Sequence, residues 1–171
     1  MKGRSGRVEG AAGSGRIVKL GIVTADAAAT ANAYRSIFPT APAPPEPPIP
    51  PFSARPHRCY RGEPAGKIPL RVEHVFTENL WFEIIEPVGD APSPWKDHLD
   101  RHGASVCFAS VETFDGFEDR AEAMNQAGFA TLYVEEKGFE RYAYFDTAST
   151  TGLLVEIKDK SPRAESENPS D

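Results

Sequence analysis

A chain of 171 residues, 40% of them hydrophobic and carrying a net charge of −6, suits one domain with a sizeable core. Its acidic balance, with a pI near 5.3, excludes the basic surface that a nucleic acid or an anionic membrane needs, and no apolar run reaches the roughly 20 residues of a membrane span. The two cysteines, Cys59 and Cys107, lie in no Cys-x-x-Cys pattern, so a reducing, cytoplasmic setting is expected.

Residues 1–15 are rich in Gly, Ser and Arg without an apolar core; they read as a disordered tail, not a signal peptide. Residues 17–23 alternate as a strand, with Lys19, Gly21 and Val23 on one face. Thr24 or Asp26 then caps a helix that runs through Phe38 and is stopped by Pro39. The proline-rich stretch 39–56 is incompatible with a helix or a central strand and predicts a stiff, extended surface loop. A short edge strand is expected over 53–61, and a hairpin over 70–77 and 80–86.

The connector 88–103 holds a short amphipathic segment around Trp95, His98 and Leu99. A strand over 104–111 follows, then a helix marked by Phe114, Phe117, Ala121 and Met124 and ended by Gly128. Three more strands are expected over 129–135, 139–147 and 153–158, before a polar, acidic tail at 161–171.

Two strands stand out. Leu-Leu-Val-Glu-Ile-Lys at 153–158 and Leu-Trp-Phe-Glu-Ile-Ile at 80–85 each carry one acid, Glu156 and Glu83, among apolar residues. A carboxylate in such surroundings is costly unless something pairs with it. The order strand, helix, three strands occurs twice, around a connector. Superposing the halves sets Glu83 against Glu156 and Lys19 against Ser105. The fold expected is α+β: two tandem βαβββ modules, 16–87 and 104–160, in a single domain over 16–160, pairing to bury their open faces.

With Val18-Lys19-Leu20-Gly21-Ile22-Val23, Glu83-Ile84-Ile85-Glu86-Pro87 and Tyr144-Phe145-Asp146-Thr147…Gly152-Leu153-Leu154-Val155-Glu156 in this order, the chain resembles the vicinal oxygen chelate superfamily. That group includes glyoxalases, dioxygenases, bleomycin-resistance proteins and methylmalonyl-CoA epimerases, and the resemblance is closest to the epimerase-like branch. It implies an incurled sheet around a central cavity and chemistry through an enolate. It also implies a divalent metal held at places that fall here on Lys19, Glu83, Ser105 and Glu156. Homodimers are common in such a family.

The residues at those places depart from the pattern. An ammonium has no lone pair for a metal, and a neutral hydroxyl is a poor ligand. No cofactor is therefore expected; if a divalent metal binds, Glu83 and Glu156 are its ligands. Without a metal, the expected catalytic group is Lys19, Glu83 and Glu156. Lys19 stabilises an oxyanion while a carboxylate moves the proton next to a carbonyl. The alternative is that the three form a structural salt bridge in place of a lost metal.

Trp81 and Ile85 share the face of Glu83, and Cys107 that of Ser105, so these four line the expected cavity; His74 joins them if it points inward. His98 and His102 are spaced as a metal pair on a helix but lack a third ligand. The function expected is a small-molecule enzyme of isomerase, epimerase or lyase type, acting on a carbonyl acid or an acyl thioester. The alternatives are a binding protein of the bleomycin-resistance kind and a degenerate module kept for dimerisation.

Overall fold

The computed structural model describes residues 10, 12, 16–46, 48–49, 51–113 and 116–159. Phe114 and nearly all of the two expected tails lie outside this set. Strand β1 (Ile17–Val23) leads into helix α1 (Ala27–Ile37), followed by β2 (His57–Tyr60), β3 (Glu63–Pro64), β4 (Leu70–Phe76) and β5 (Trp81–Pro87). Helix α2 (Pro94–His102) links these to β6 (Ser105–Thr113), α3 (Phe117–Gln126), β7 (Thr131–Glu136), β8 (Arg141–Phe145), α4 (Ala148–Thr151) and β9 (Leu154–Asp159).

The helix ends follow their local chemistry. Asp26 is extended and accepts a hydrogen bond from the Ala29 amide at 2.9 Å, satisfying a donor that the first turn leaves open. Replacing it with alanine should lower stability by about 1 kcal/mol, read as a shift in urea midpoint at unchanged slope. Ser93 caps α2 in the same way at 3.1 Å, with Pro94 in the first turn, where no amide is needed. Gly103 closes α2 at φ 68°, a conformation other residues reach only with strain.

All strands join one mixed nine-strand sheet in the order β3-β2-β7-β8-β9-β6-β1-β5-β4. β1 and β6 run antiparallel as neighbours within it, each with a parallel partner, β5 and β9. Helix α1 covers one half of the outer face: Ala27 and Ala31 let it sit close against Ile22, Val75 and Ile84. Helix α3 covers the other half with Phe117 and Met124 over Ala143, Phe145 and Ile157. The opposite face carries a third cluster, including Val23, Ile85, Trp95, Phe108, Tyr133 and Tyr144.

Two features depart from the tandem-module expectation. First, β2 does not edge its own half of the sheet. It pairs antiparallel with β7, Arg58 opposite Glu135, on the far side of the sheet from β4. Residues 41–56 therefore carry the chain from the β4 edge, where the Ala41 amide donates to the Phe76 carbonyl at 2.8 Å, to the β7 edge. Residues 65–69 bring it back.

Second, the β1–β6 ladder slips. Gly21 opposes Phe108 and Ile22 opposes Val106, leaving Cys107 as an extra residue on β6. This bulge shifts the alternation that strict period-2 reading assumes, and both Cys107 and Phe108 enter the same core cluster.

Candidate active site

Strand pairing lays two rows of side chains across the inner face. One runs Trp81, Lys19, Ser110, Glu156, Tyr144 and Tyr133 from β5 to β7; the other runs His74, Glu83, Gly21, Phe108 and Leu154 from β4 to β9. Gly21 is required in the second row, because a Cβ there would lie 1.9 Å from the Phe108 ring. Phe108 thus lies across β1 beside Lys19, whose Nζ is 5.1 Å from the ring centroid and 5.8 Å from that of Trp81.

The rows also settle which residues correspond between the halves. Gly21 pairs with Glu83, and Ser110 pairs with Glu156. Two residues earlier, Lys19 pairs with Trp81, and Phe108 pairs with Leu154. The counterpart of Lys19 is therefore Phe108, not Ser105. The strand register thus sets the halves three residues away from the sequence superposition, at Phe108 instead of Ser105, a larger offset than the single extra residue at Cys107.

Lys19 is 2% exposed and donates to Glu83 Oε2 at 2.6 Å. Its Nζ also lies 3.0 Å from Glu156 Oε2, in an ion pair whose alignment falls short of a hydrogen bond. Glu156 is as buried as Lys19, whereas the Glu83 side chain keeps 20% of its surface exposed. Burial alone pulls the Lys19 ammonium down, but Glu156 and Glu83 together outweigh it and hold the group above its usual range. Burial likewise pushes Glu83 up, and the Lys19 charge with the His74 hydrogen bond overcomes it, bringing the carboxyl down to about 2.

The triad lies on the wall of a cavity of about 980 Å³. Trp81, Ile85 and His74 line it as well. His74 Nε2 is 3.4 Å from Glu83 Oε1, and its ring stacks on Trp81 at 5.9 Å between centroids. Ser105 and Cys107 stand outside the lining. The Ser105 hydroxyl is held at 2.8 Å by His98 of α2, and Cys107 is packed in the core, its thiol pushed up to about 12 by burial. Ser110 takes the inward place between Lys19 and Glu156; its Oγ has no hydrogen-bond partner among the described residues.

A second polar group in the cavity was not singled out in the sequence. Glu135 receives the Tyr133 hydroxyl at 2.8 Å, the Tyr142 hydroxyl, and Arg58 Nη2 at 2.6 Å. Burial raises Glu135, but these three donors prevail and keep the carboxyl below its usual range. Burial beside Glu135 pushes both phenols well up, so they remain neutral donors. Glu140 binds Lys137 at 2.9 Å and Lys158 at 2.8 Å. Alternation puts Glu135, Tyr142 and Lys158 on the face of Tyr133, Tyr144 and Glu156, whereas Arg58, Lys137 and Glu140 lie outside β7, β8 and β9.

No family model matches the chain, and no curated protein matches it. Solved structures do. One is a methylmalonyl-CoA epimerase in complex with methylmalonyl-CoA and NH4+, at 17% identity and a TM-score of 0.57, with 86% of this chain and 99% of that one covered. The methylmalonyl-CoA epimerase of Mycobacterium tuberculosis matches at 13% identity and a TM-score of 0.57, over 87% and 89% of the two chains. A hypothetical protein from Bacillus halodurans matches at 14% identity and a TM-score of 0.60, over 90% and 99%. The chain has the epimerase fold. At such identities the likeness extends to the fold alone. Among the described residues no helix is long and apolar enough to cross a membrane, and no three His, Cys, Asp or Glu side chains gather as a metal site.

Proposed function

We propose that the protein is a small-molecule enzyme of isomerase, epimerase or lyase type that moves a proton next to a carbonyl. The observation that carries this reading is the buried Lys19 ammonium held against Glu83 and Glu156 on the wall of the cavity. An ammonium has three donors, and two face the carboxylates. The third is free to meet a substrate oxygen and to stabilise the charge an enolate develops there.

Glu83, the more exposed acid, is the proton carrier in this scheme. With Lys19 and His74 bonded to it, its carboxylate is a weak base. A substrate oxygen that draws Lys19 away restores its basicity at the moment it is needed. Glu156 stays buried and keeps the ammonium charged.

The donor set does not suit a divalent metal. Lys19 Nζ occupies the space between the two carboxylates, and the place related to it in the second half holds Phe108, which has no donor atom. No step is assigned to a metal. The connection lengths support a curled sheet: Pro64 of β3 and Leu70 of β4 are joined by a segment that spans at most about 20 Å, whereas nine strands laid flat would part these edges by roughly 38 Å.

The test is exchange of α-protons in D2O, followed by proton NMR, over a panel of carbonyl acids and acyl thioesters. The wild type should exchange at least one compound, and Lys19→Met and Glu83→Gln should slow it by about 100-fold or more. Retained exchange in Lys19→Met removes the catalytic role of Lys19. A binding protein without chemistry is the second reading, favoured by the many rings around the cavity and by the ion pairing of Lys19 with both carboxylates. No exchange with any compound, together with binding, selects it.

A further inference from the structure

The proline-rich stretch turns out to belong to the cavity. Ala43, Pro44, Pro45, Glu46, Pro48 and Ile49 all line it. The stretch is fixed at both ends. At the β4 end the Ala41 amide bonds Phe76. At the other end Phe52 packs on Phe139 with ring centroids 5.7 Å apart, and lies so close over Gly138 that a Cβ there would meet the Phe52 ring at 2.0 Å. The return segment adds Ile68 to the lining. Two legs of chain therefore pass over the inner face, and the first is stiffened by its prolines.

The charges on the lining are matched in a particular way. Lys19 is engaged by Glu83 and Glu156, Arg58 by Glu135, and Lys137 and Lys158 by Glu140. Glu46, brought in by the proline-rich leg, adds a carboxylate with no partner among the described residues. No cation of the lining is left over for a phosphate, and the roof itself presents a negative group. Between the charged clusters the walls are rings and aliphatic side chains, among them Phe76, Trp81, Trp95, Tyr144, Leu70 and Ile85.

Building on the carbonyl chemistry proposed above, we propose that the described residues 41–46, 48–49 and 51–56 form a roof, latched by Phe52, that sets the substrate class. The site takes compact aromatic or apolar carbonyl compounds and shuts out the phosphorylated tail of coenzyme A thioesters. This separates the protein from the matched structures whose complexes contain methylmalonyl-CoA or 2-nitronate-propionyl-CoA, although the fold is shared.

The chain has two tryptophans, Trp81 and Trp95, and both line the cavity, so intrinsic fluorescence reports on its contents. Acetophenone and methylmalonyl-CoA are titrated against the wild type, Glu46→Lys, and Phe52→Ala combined with Glu46→Lys. Glu46 is exposed, so its single variant folds whatever the latch does. Acetophenone should change the emission of all three proteins. Methylmalonyl-CoA should leave the wild type unchanged, bind measurably to Glu46→Lys, and bind at least tenfold tighter to the double variant. A wild type that binds methylmalonyl-CoA as tightly as the variants overturns the proposal, and so does a wild type that ignores acetophenone. These readings need no turnover: loss of proton exchange in the Lys19 or Glu83 variants bears on the catalytic reading and leaves the roof untouched.

Discussion

Lys19→Met should lose about 3–5 kcal/mol of stability at pH 7, because it leaves two buried carboxylates with no cation, and its response to pH should reverse. In the wild type the Glu83 carboxyl is down near 2 against an ordinary value of 4.5. A depressed carboxyl contributes stability above its unfolded value, and the contribution is lost as the pH falls from about 4.5 toward 2. Lys19 is raised, so its contribution is present below 10.5 and is lost only as the pH climbs past its folded value. Lys19 and Glu83 therefore leave wild-type stability flat between about pH 5 and pH 10.

In the variant the sign changes. Without the ammonium, burial and mutual repulsion favour a proton on the carboxylate pair. The folded variant binds more protons than the unfolded chain, so it should grow more stable from pH 7 to pH 5 while the wild type does not. Urea midpoints at the two pH values check this. Parallel behaviour of the two proteins would show that the three groups do not act as one unit.

The second large effect concerns Gly21. Alanine there drives a methyl into the Phe108 ring, whose atoms lie 1.9 Å to 2.3 Å from the Cβ position, and should cost about 1–3 kcal/mol or more through overpacking. Phe108→Ala alone should cost about 3–5 kcal/mol, since the ring is fully buried between β1 and the Tyr144 ring. The double variant should be more stable than the sum of the two losses predicts, because the new methyl occupies space the ring has left. Denaturant curves for the four proteins measure the coupling. Strict additivity would mean that β1 moves away from the ring instead.

The strands could be read from the sequence because each shows one face at a time. Alternation around Glu83 and Glu156 identified β5 and β9, whereas the placing of Lys19 beside them came from the ligand positions that the family resemblance implies. The misplacement of Ser105 began in the superposition of the halves, which set β1 against β6 three residues away from the register the strands adopt. A bulge adds one residue without changing composition or hydrophobicity, so nothing in the period of β6 announces it. The charged half of the cavity was missed for a different reason. Glu135, Lys137, Glu140 and Lys158 look like a solvated face in one dimension, and only the crossing of residues 41–56 turns that face inward. The crossing is a long-range pairing of β2 with β7, on which local pattern is silent.

That pairing also bears on how the chain is made. Arg58 and its partner Glu135 are 77 residues apart, so β2 leaves the ribosome long before the strand it needs exists. Until then its amides and carbonyls are an open edge, ready to pair with any strand nearby. The residues around it limit that danger. The prolines of 42–51 precede it, and Pro64 and Pro69 follow it, each removing an amide that a wrong partner would require. The same segment that roofs the finished cavity stops a wrong ladder from extending N-terminally beyond the four residues of β2.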